Sequence, residues 1–320
     1  MSEIVTLLVP LFGVILLGYG AGYLKFVKAD QLAGLDFFVF YLALPALFIQ
    51  LIVVTPLASF AGWSFVGTTT FATYCAFAIA FSIGALINGG HVPEATVQGL
   101  AGSYSNTAYL APALVIGAFG SAAAVPMALI FSFDSAMLFI ITPLMMALGG
   151  TVRTDPAKLA ESIARQVFLN PLIIATAVGF AVAGSGIEIP AALGAVLSLV
   201  AGAAAPCALF VLGVNLALRP VARVPLEVPI IVAVKLLVHP LIVYLLLSWV
   251  GGFDPIWLQT AVLIAALPPA ANVLALAQQY GVYGERASAA LVFGTAISAV
   301  TVTLALIGLL HDVLPLVPFR

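Results

Sequence analysis

The chain has 320 residues, 64% of them hydrophobic and only 7% charged, with a net charge of −2. An ordinary soluble domain is roughly a quarter charged, so this chain has too little charge to clothe a water-facing surface. The composition excludes a soluble protein, and the near-neutral balance offers no electrostatic footprint for a nucleic-acid partner.

In chain order, ten apolar segments are expected to span a bilayer: 3–23, 31–53, 64–87, 94–119, 122–148, 169–187, 191–217, 227–250, 255–280 and 287–310. Each approaches or exceeds the length of about 20 residues that crosses a hydrocarbon core of about 30 Å. The fold class expected is therefore an all-α polytopic membrane protein. The first segment does not read as a cleaved signal peptide. It lacks a basic flank and an A-x-A-like site, and Pro10 interrupts its apolar run. Connections are short, and the longest, "GGTVRTDPAKLAESIARQ" (149–166), divides the chain into two halves. The organisation expected is a first five-helix repeat over 1–150, a cytoplasmic linker over 151–168, and a second, inverted five-helix repeat over 169–320. Within the linker, 158–166 is amphipathic and suited to the membrane interface.

Basic residues orient the chain. Lys25, Lys28, Arg153, Lys158, Arg165, Arg219, Arg223 and Arg286 fall on one side of the predicted membrane, Arg320 on the other, and Lys235 within a span. The positive-inside rule makes the crowded side cytoplasmic, so both termini lie outside and the protein sits in the cell (inner) membrane. A weak internal repeat accompanies this layout. At an offset of 161 residues Pro10 meets Pro171, Gly18 meets Gly179, Pro45 meets Pro206, Gln98 meets Gln259 and Gly120 meets Gly281. Five spans per half is an odd number, so the second half enters the membrane inverted, as in many secondary transporters.

Two segments interrupt otherwise oily spans at related positions in the two halves: "SYSNTAYLAP" (103–112) and "ALPPAANVLALAQQYG" (266–281). Proline has no amide hydrogen and clashes with the carbonyl four residues back, so Pro112, Pro268 and Pro269 should break their helices. Broken backbone inside hydrocarbon survives only where protein buries it or where it lines a wet cavity. Half-helix ends there offer free N–H groups to an anion and free carbonyls to a cation. With Ser105, Asn106, Thr107 and Asn272 they form the expected substrate site; the plainer reading is repair of a proline kink. No P-loop, G-x-S-x-G or H-E-x-x-H is present, so neither an ATP-driven pump nor an enzyme is indicated. Cys75 and Cys207 read as packing residues, and the scattered His91, His239 and His311 supply no metal site; no cofactor is expected.

"SNTAYLAPALVIGAFG" (105–120) and "LPPAANVLALAQQYG" (267–281) resemble the fourth and ninth helices of the auxin efflux carrier family, and "YLALPALF" (41–48) resembles its second. The family includes plant auxin exporters and bacterial carriers, some linked to malonate, and the likeness runs the length of the chain. It implies a fold similar to bile-acid sodium symporters and sodium/proton antiporters, with unwound helices 4 and 9 crossing at mid-membrane. It further implies that Asn106 matches the asparagine that contacts the substrate carboxylate in the plant carriers, and that Pro112 and Pro268 mark the crossing. The long hydrophilic central loop of the plant members is short here, so phosphorylation control at that loop has no counterpart.

Other polar residues within spans carry two readings each. Asp134 is expected to couple transport to H+ or Na+, the alternative being a hydrogen-bonded structural acid beside Ser132 and Ser135. Lys235, about eight residues into its span, is expected to snorkel to the cytoplasmic face, against an ion-pair or anion-attracting role. His239 reads as a hydrogen-bonded core residue. Gln50 and Asn215 either line a substrate path or are structural, and Gly18–Gly22 suggests a helix-packing face. The expectation is a secondary carrier of small organic anions working by elevator-type alternating access, embedded in lipid, with a second copy of the chain as an admissible partner. Its rivals are a sodium-coupled symporter or sodium/proton antiporter of the same fold and a non-transporting membrane sensor.

Overall fold

The computed structural model describes residues 2–54, 62–151, 155–219 and 224–311. Of the basic residues that orient the chain, Arg153, Arg223 and Arg320 lie outside these. The described secondary structure is helical apart from one isolated antiparallel bridge. Sixteen α-helices follow one another: α1 (Ser2–Tyr23), α2 (Ala29–Phe38), α3 (Leu44–Val53), α4 (Gly62–Ile87), α5 (Val92–Ser103), α6 (Ala111–Phe119), α7 (Ala124–Leu148) and α8 (Pro156–Phe168). Then come α9 (Pro171–Ser185), α10 (Ala191–Gly202), α11 (Ala204–Ala217), α12 (Glu227–Ala233), α13 (His239–Val250), α14 (Pro255–Ala265), α15 (Ala271–Tyr280) and α16 (Gly284–Leu310).

Seven helical runs among the described residues are long and apolar enough to cross a membrane, or eight if the bent pair α8–α9 is one span. Ten were expected, and the other segments differ for physical reasons. Residues 94–119 and 255–280 are each two short helices separated by irregular backbone, α5–α6 and α14–α15. The sixth segment, α9, has 15 residues, about 22 Å of helix and short of a full hydrocarbon core. It meets the amphipathic α8 at a 56° bend. Asn170 causes the bend: its side chain caps the Leu172 and Ile173 amides ahead of a helix that opens on Pro171.

Two spans each carry a π-helical turn, Val39–Ala43 and Val234–Val238. Each ends two residues before a proline, Pro45 and Pro240. Proline cannot accept the regular α register without a clash against the preceding turn, and widening that turn by one residue relieves it. The Leu44 amide accordingly reaches the Val39 carbonyl, and the His239 amide the Val234 carbonyl.

The chain divides into two compact units, each drawing on both halves of the sequence. The first comprises residues 1–61, 108–132 and 168–220. Its core is α1 against α11 and α3 against α9 and α10. The α1–α11 contact is backbone to backbone: a Cβ on Gly18 would strike the Phe210 carbonyl, and one on Gly213 the Ile15 carbonyl. This is the packing role anticipated for the small residues near Gly18.

The second unit comprises residues 62–107, 133–167 and 221–320. Here α4 packs on α5 and α13, and α13 on α14. Gly102 meets Ala80, and Gly99 meets the Phe77 ring, with no room for a side chain. At one end of this unit Arg286 joins three helix termini. Its Nε donates to Glu227 at 3.0 Å and its Nη1 to Asn88 at 3.0 Å, with Glu94 at 3.4 Å. The guanidinium also lies 5.1 Å from the centre of the Tyr283 ring. The Tyr283 hydroxyl donates to the fully buried Gln98 at 3.0 Å. Burial foremost, then the Glu227 charge, raises the Tyr283 pKa, so the phenol remains a donor.

Candidate functional site

The second unit holds the meeting of the two interrupted segments. Helix α5 ends at Ser103, and Tyr104 turns the chain into extended backbone. Helix α14 ends at Ala265, and Pro268 and Pro269 keep residues 266–270 from re-forming a helix until α15 starts at Ala271. The two stretches pair as an antiparallel bridge between Ser105 and Pro269. The Asn106 amide donates to the Pro268 carbonyl at 2.9 Å, and the Ala270 amide to the Tyr104 carbonyl at 3.2 Å. Prolines suit one side of such a bridge because only their carbonyls are asked to take part.

The backbone is thus satisfied, but the side chains are not. Ser105, Asn106 and Thr107 are buried. Thr107 folds back on the Ser105 carbonyl, whereas the Ser105 hydroxyl and the Asn106 amide nitrogen have no hydrogen-bond partner. A buried donor without an acceptor costs about 1–3 kcal/mol. Asn272, in the first turn of α15, bonds to the Tyr104 side chain, whose hydroxyl also lies 2.9 Å from Ser135 Oγ. The plain kink-repair reading accounts for Thr107, not for the two orphan donors.

Next to the break is a second buried group. Asp134 is 3% exposed, bonds to Thr73 and feels the charge of Lys235. Lys235 is wholly buried, so it does not snorkel to the cytoplasmic face as its place in the sequence suggests. It lies within the π turn Val234–Val238. Its Nζ donates to the carbonyl of Ala265, the last residue of α14, and lies 3.2 Å from His239 Nδ1. A cation there complements the negative end of the α14 dipole. His239 Nε2 stands 3.4 Å from Thr73 Oγ1. A neutral ring protonated on Nε2 satisfies both contacts, the core-histidine role expected of it. Lys235 and His239 are four apart, a spacing that puts both on one helix face. Beside Pro240 that was the available signal for this cluster; Thr73 and Tyr104 gave none.

Three of the sequence candidates belong to the first unit. Pro112 sits in the first turn of α6, where its missing N–H costs nothing. Gln50 donates to Ser198 at 3.0 Å and lines a cleft of about 580 Å3 between α3, α9 and α10. Asn215 is not in its wall; it bonds to Asp36, which also accepts from the Tyr109 hydroxyl at 3.0 Å and faces the charge of Arg219. Both cysteines are free thiols. Among the described residues no three His, Cys, Asp or Glu side chains cluster as a metal site would require.

An all-helical, multi-pass membrane protein with two interrupted helices paired at their breaks has the architecture of a carrier. The chain belongs to the membrane transport protein family, that of the auxin efflux carriers, whose model matches residues 3–306. It is a transporter, not an enzyme. It is 46% identical over 311 residues to a protein of Rhizobium meliloti (strain 1021) named "Putative malonate transporter", a match covering 97% of this chain and 96% of that one.

Proposed function

We propose that this transporter is a secondary carrier of small carboxylates, malonate among them, and that the paired breaks receive the substrate carboxylate. One observation carries the reading: the buried Asn106 amide and Ser105 hydroxyl lack acceptors where two half-helices meet. An acceptor from outside the protein, such as a carboxylate oxygen, would complete them. The start of α15 at Ala271 adds a positive dipole end beside the same bridge. Thr107, Pro268, Pro269 and Asn272 shape the backbone that holds these donors, and Pro112 opens the helix that follows. Gln50 and Asn215 are candidates for the path to the site. The relative's name supports a dicarboxylate as the substrate.

In this reading the chain is ten spans in two inverted repeats, 1–150 and 169–320, joined by a cytoplasmic linker, with both termini outside the cell membrane. The crossing of helices 4 and 9 lies at mid-membrane, and the substrate is carried by elevator-type alternating access. Uptake of labelled malonate into proteoliposomes tests the function. Saturable uptake, competed by other small mono- and dicarboxylates and lost on altering Asn106, is the expected result. Wild-type protein that neither binds nor moves any small carboxylate removes the proposal.

A further inference from the structure

The buried cluster beside the break contains an ammonium that caps a helix end but that no ion pair among the described residues closes. Lys235 has three ammonium donors. One goes to the Ala265 carbonyl and one to His239 Nδ1. The third has no acceptor among the described residues. Asp134 is the carboxylate whose charge acts on Lys235, yet the two are not within ion-pair distance. The carbonyl that Lys235 holds is three residues ahead of Pro268, whose own carbonyl accepts from Asn106. A leftover ammonium donor and the orphan donors of Ser105 and Asn106 therefore flank one break, with a single carboxylate close by.

We propose, building on the carboxylate-carrier reading, that the substrate carboxylate and Asp134 compete for the Lys235 ammonium, so that each anion binds together with one proton on Asp134. Two carboxylates sharing one ammonium away from water leave a net buried negative charge, which is unfavourable. A proton from the aqueous phase forms an O–H bond on Asp134 and cancels one of the negative charges brought together there. Lys235 stays an ammonium, and the substrate carboxylate takes its leftover donor while the Asp134 charge that acted on it is neutralised. On release the proton leaves Asp134, and its charge again acts on Lys235. His239 stays neutral throughout because its Nδ1 accepts from Lys235.

The other groups around the cluster do not substitute for Asp134. From α4 come Thr73, bonded to Asp134, and Tyr74, which feels its charge; from the α5 break comes Tyr104, which also feels it. Helices α5 and α16 pack against the π turn as well. Their charged residues Glu94, Glu285 and Arg286 stand in the first turns, and Arg286 is held by Glu94 and Glu227. None of these acts on Lys235.

The test is calorimetric titration of the purified protein with malonate, at a pH where free malonate is fully ionised, in two buffers of different ionisation enthalpy. Wild type is expected to take up one proton per malonate bound. Asp134→Asn removes the competitor, so it should bind malonate several-fold more tightly than wild type at that pH, with no proton uptake. Lys235→Met should weaken binding roughly 10- to 100-fold. Should Lys235→Met fail to fold, Asp134→Asn decides alone, because an acid that merely supports Lys235 predicts weaker binding on its loss. Binding without proton uptake in wild type, or weakened binding in Asp134→Asn, overturns the competition while leaving the carboxylate site intact. Absence of carboxylate binding in wild type overturns both.

Discussion

Asn106 is central to the proposed site because its side-chain amide nitrogen is buried without a partner while its backbone amide is engaged with Pro268. Removing the side chain therefore costs binding and spares the fold. A hydrogen bond to a charged group contributes about 1.5–3 kcal/mol, so Asn106→Ala should weaken malonate binding roughly 10- to 100-fold, with an unfolding temperature close to wild type. Asn106→Asp should be worse, since it sets a negative charge against the anion. Titration calorimetry with a parallel thermal melt checks both. Wild-type affinity in folded Asn106→Ala would move the carboxylate site elsewhere. Asn106 stood out as a candidate in the sequence because a hydrogen-bonding amide ahead of a proline is conspicuous in an apolar span. Lys235 did not. Depth read along one dimension brings it near the cytoplasmic surface, whereas the fold buries it against the end of α14.

Elements explain that difference. Periodicity assumes one register per helix, and the π turn at Val234–Val238 adds a residue to the turn, which rotates everything beyond it by about 100° relative to an unbroken α-helix. The faces of α12 and α13 therefore do not continue one another, and no count of hydrophobic positions reveals where Lys235 points. Pro240→Ala restores an amide and removes the clash that the wide turn relieves. The expected outcome is equal or higher thermal stability together with reduced malonate uptake, because Lys235 loses its hold on Ala265. Unchanged uptake would mean that the turn persists without its proline. The broken helices were legible because proline pairs act locally. The shortness of α9 was less so, since its start is set by the Asn170 cap and its end by Gly186 in a left-handed conformation at φ 68°. Close packing makes a further element-scale prediction. Gly102→Leu must displace Ala80 of α4 from the α5 interface, and overpacking of this kind typically costs about 1–3 kcal/mol, visible as a lowered unfolding temperature.

At the scale of the whole molecule, the membrane character and most helices were legible from composition and length, because a bilayer constrains both severely. The grouping of segments into two units was not, since residues 108–132 and 133–167 part company within the single helix α7. The orientation proposed from the basic residues admits a direct check. Ser162 is exposed on α8, the amphipathic helix of the central linker. A cysteine placed there in a background without Cys75 and Cys207 should be refractory to a membrane-impermeant thiol reagent added to intact cells. It should react once the membrane is permeabilised. Labelling from outside would invert the orientation inferred from the positive-inside rule.

The glycine contacts between α1 and α11 have a mechanical consequence. Where two helices touch through side chains, rotamers can readjust and the pair can slide by fractions of an ångström. Where Gly18 rests on the Phe210 carbonyl and Gly213 on that of Ile15, there is no such lubricant, because the touching atoms are backbone on both sides. The pair is therefore expected to move as one stiff unit. Amide hydrogens along both helices should consequently exchange together and late, as one cooperative block, while α8, with no buried residue, exchanges early.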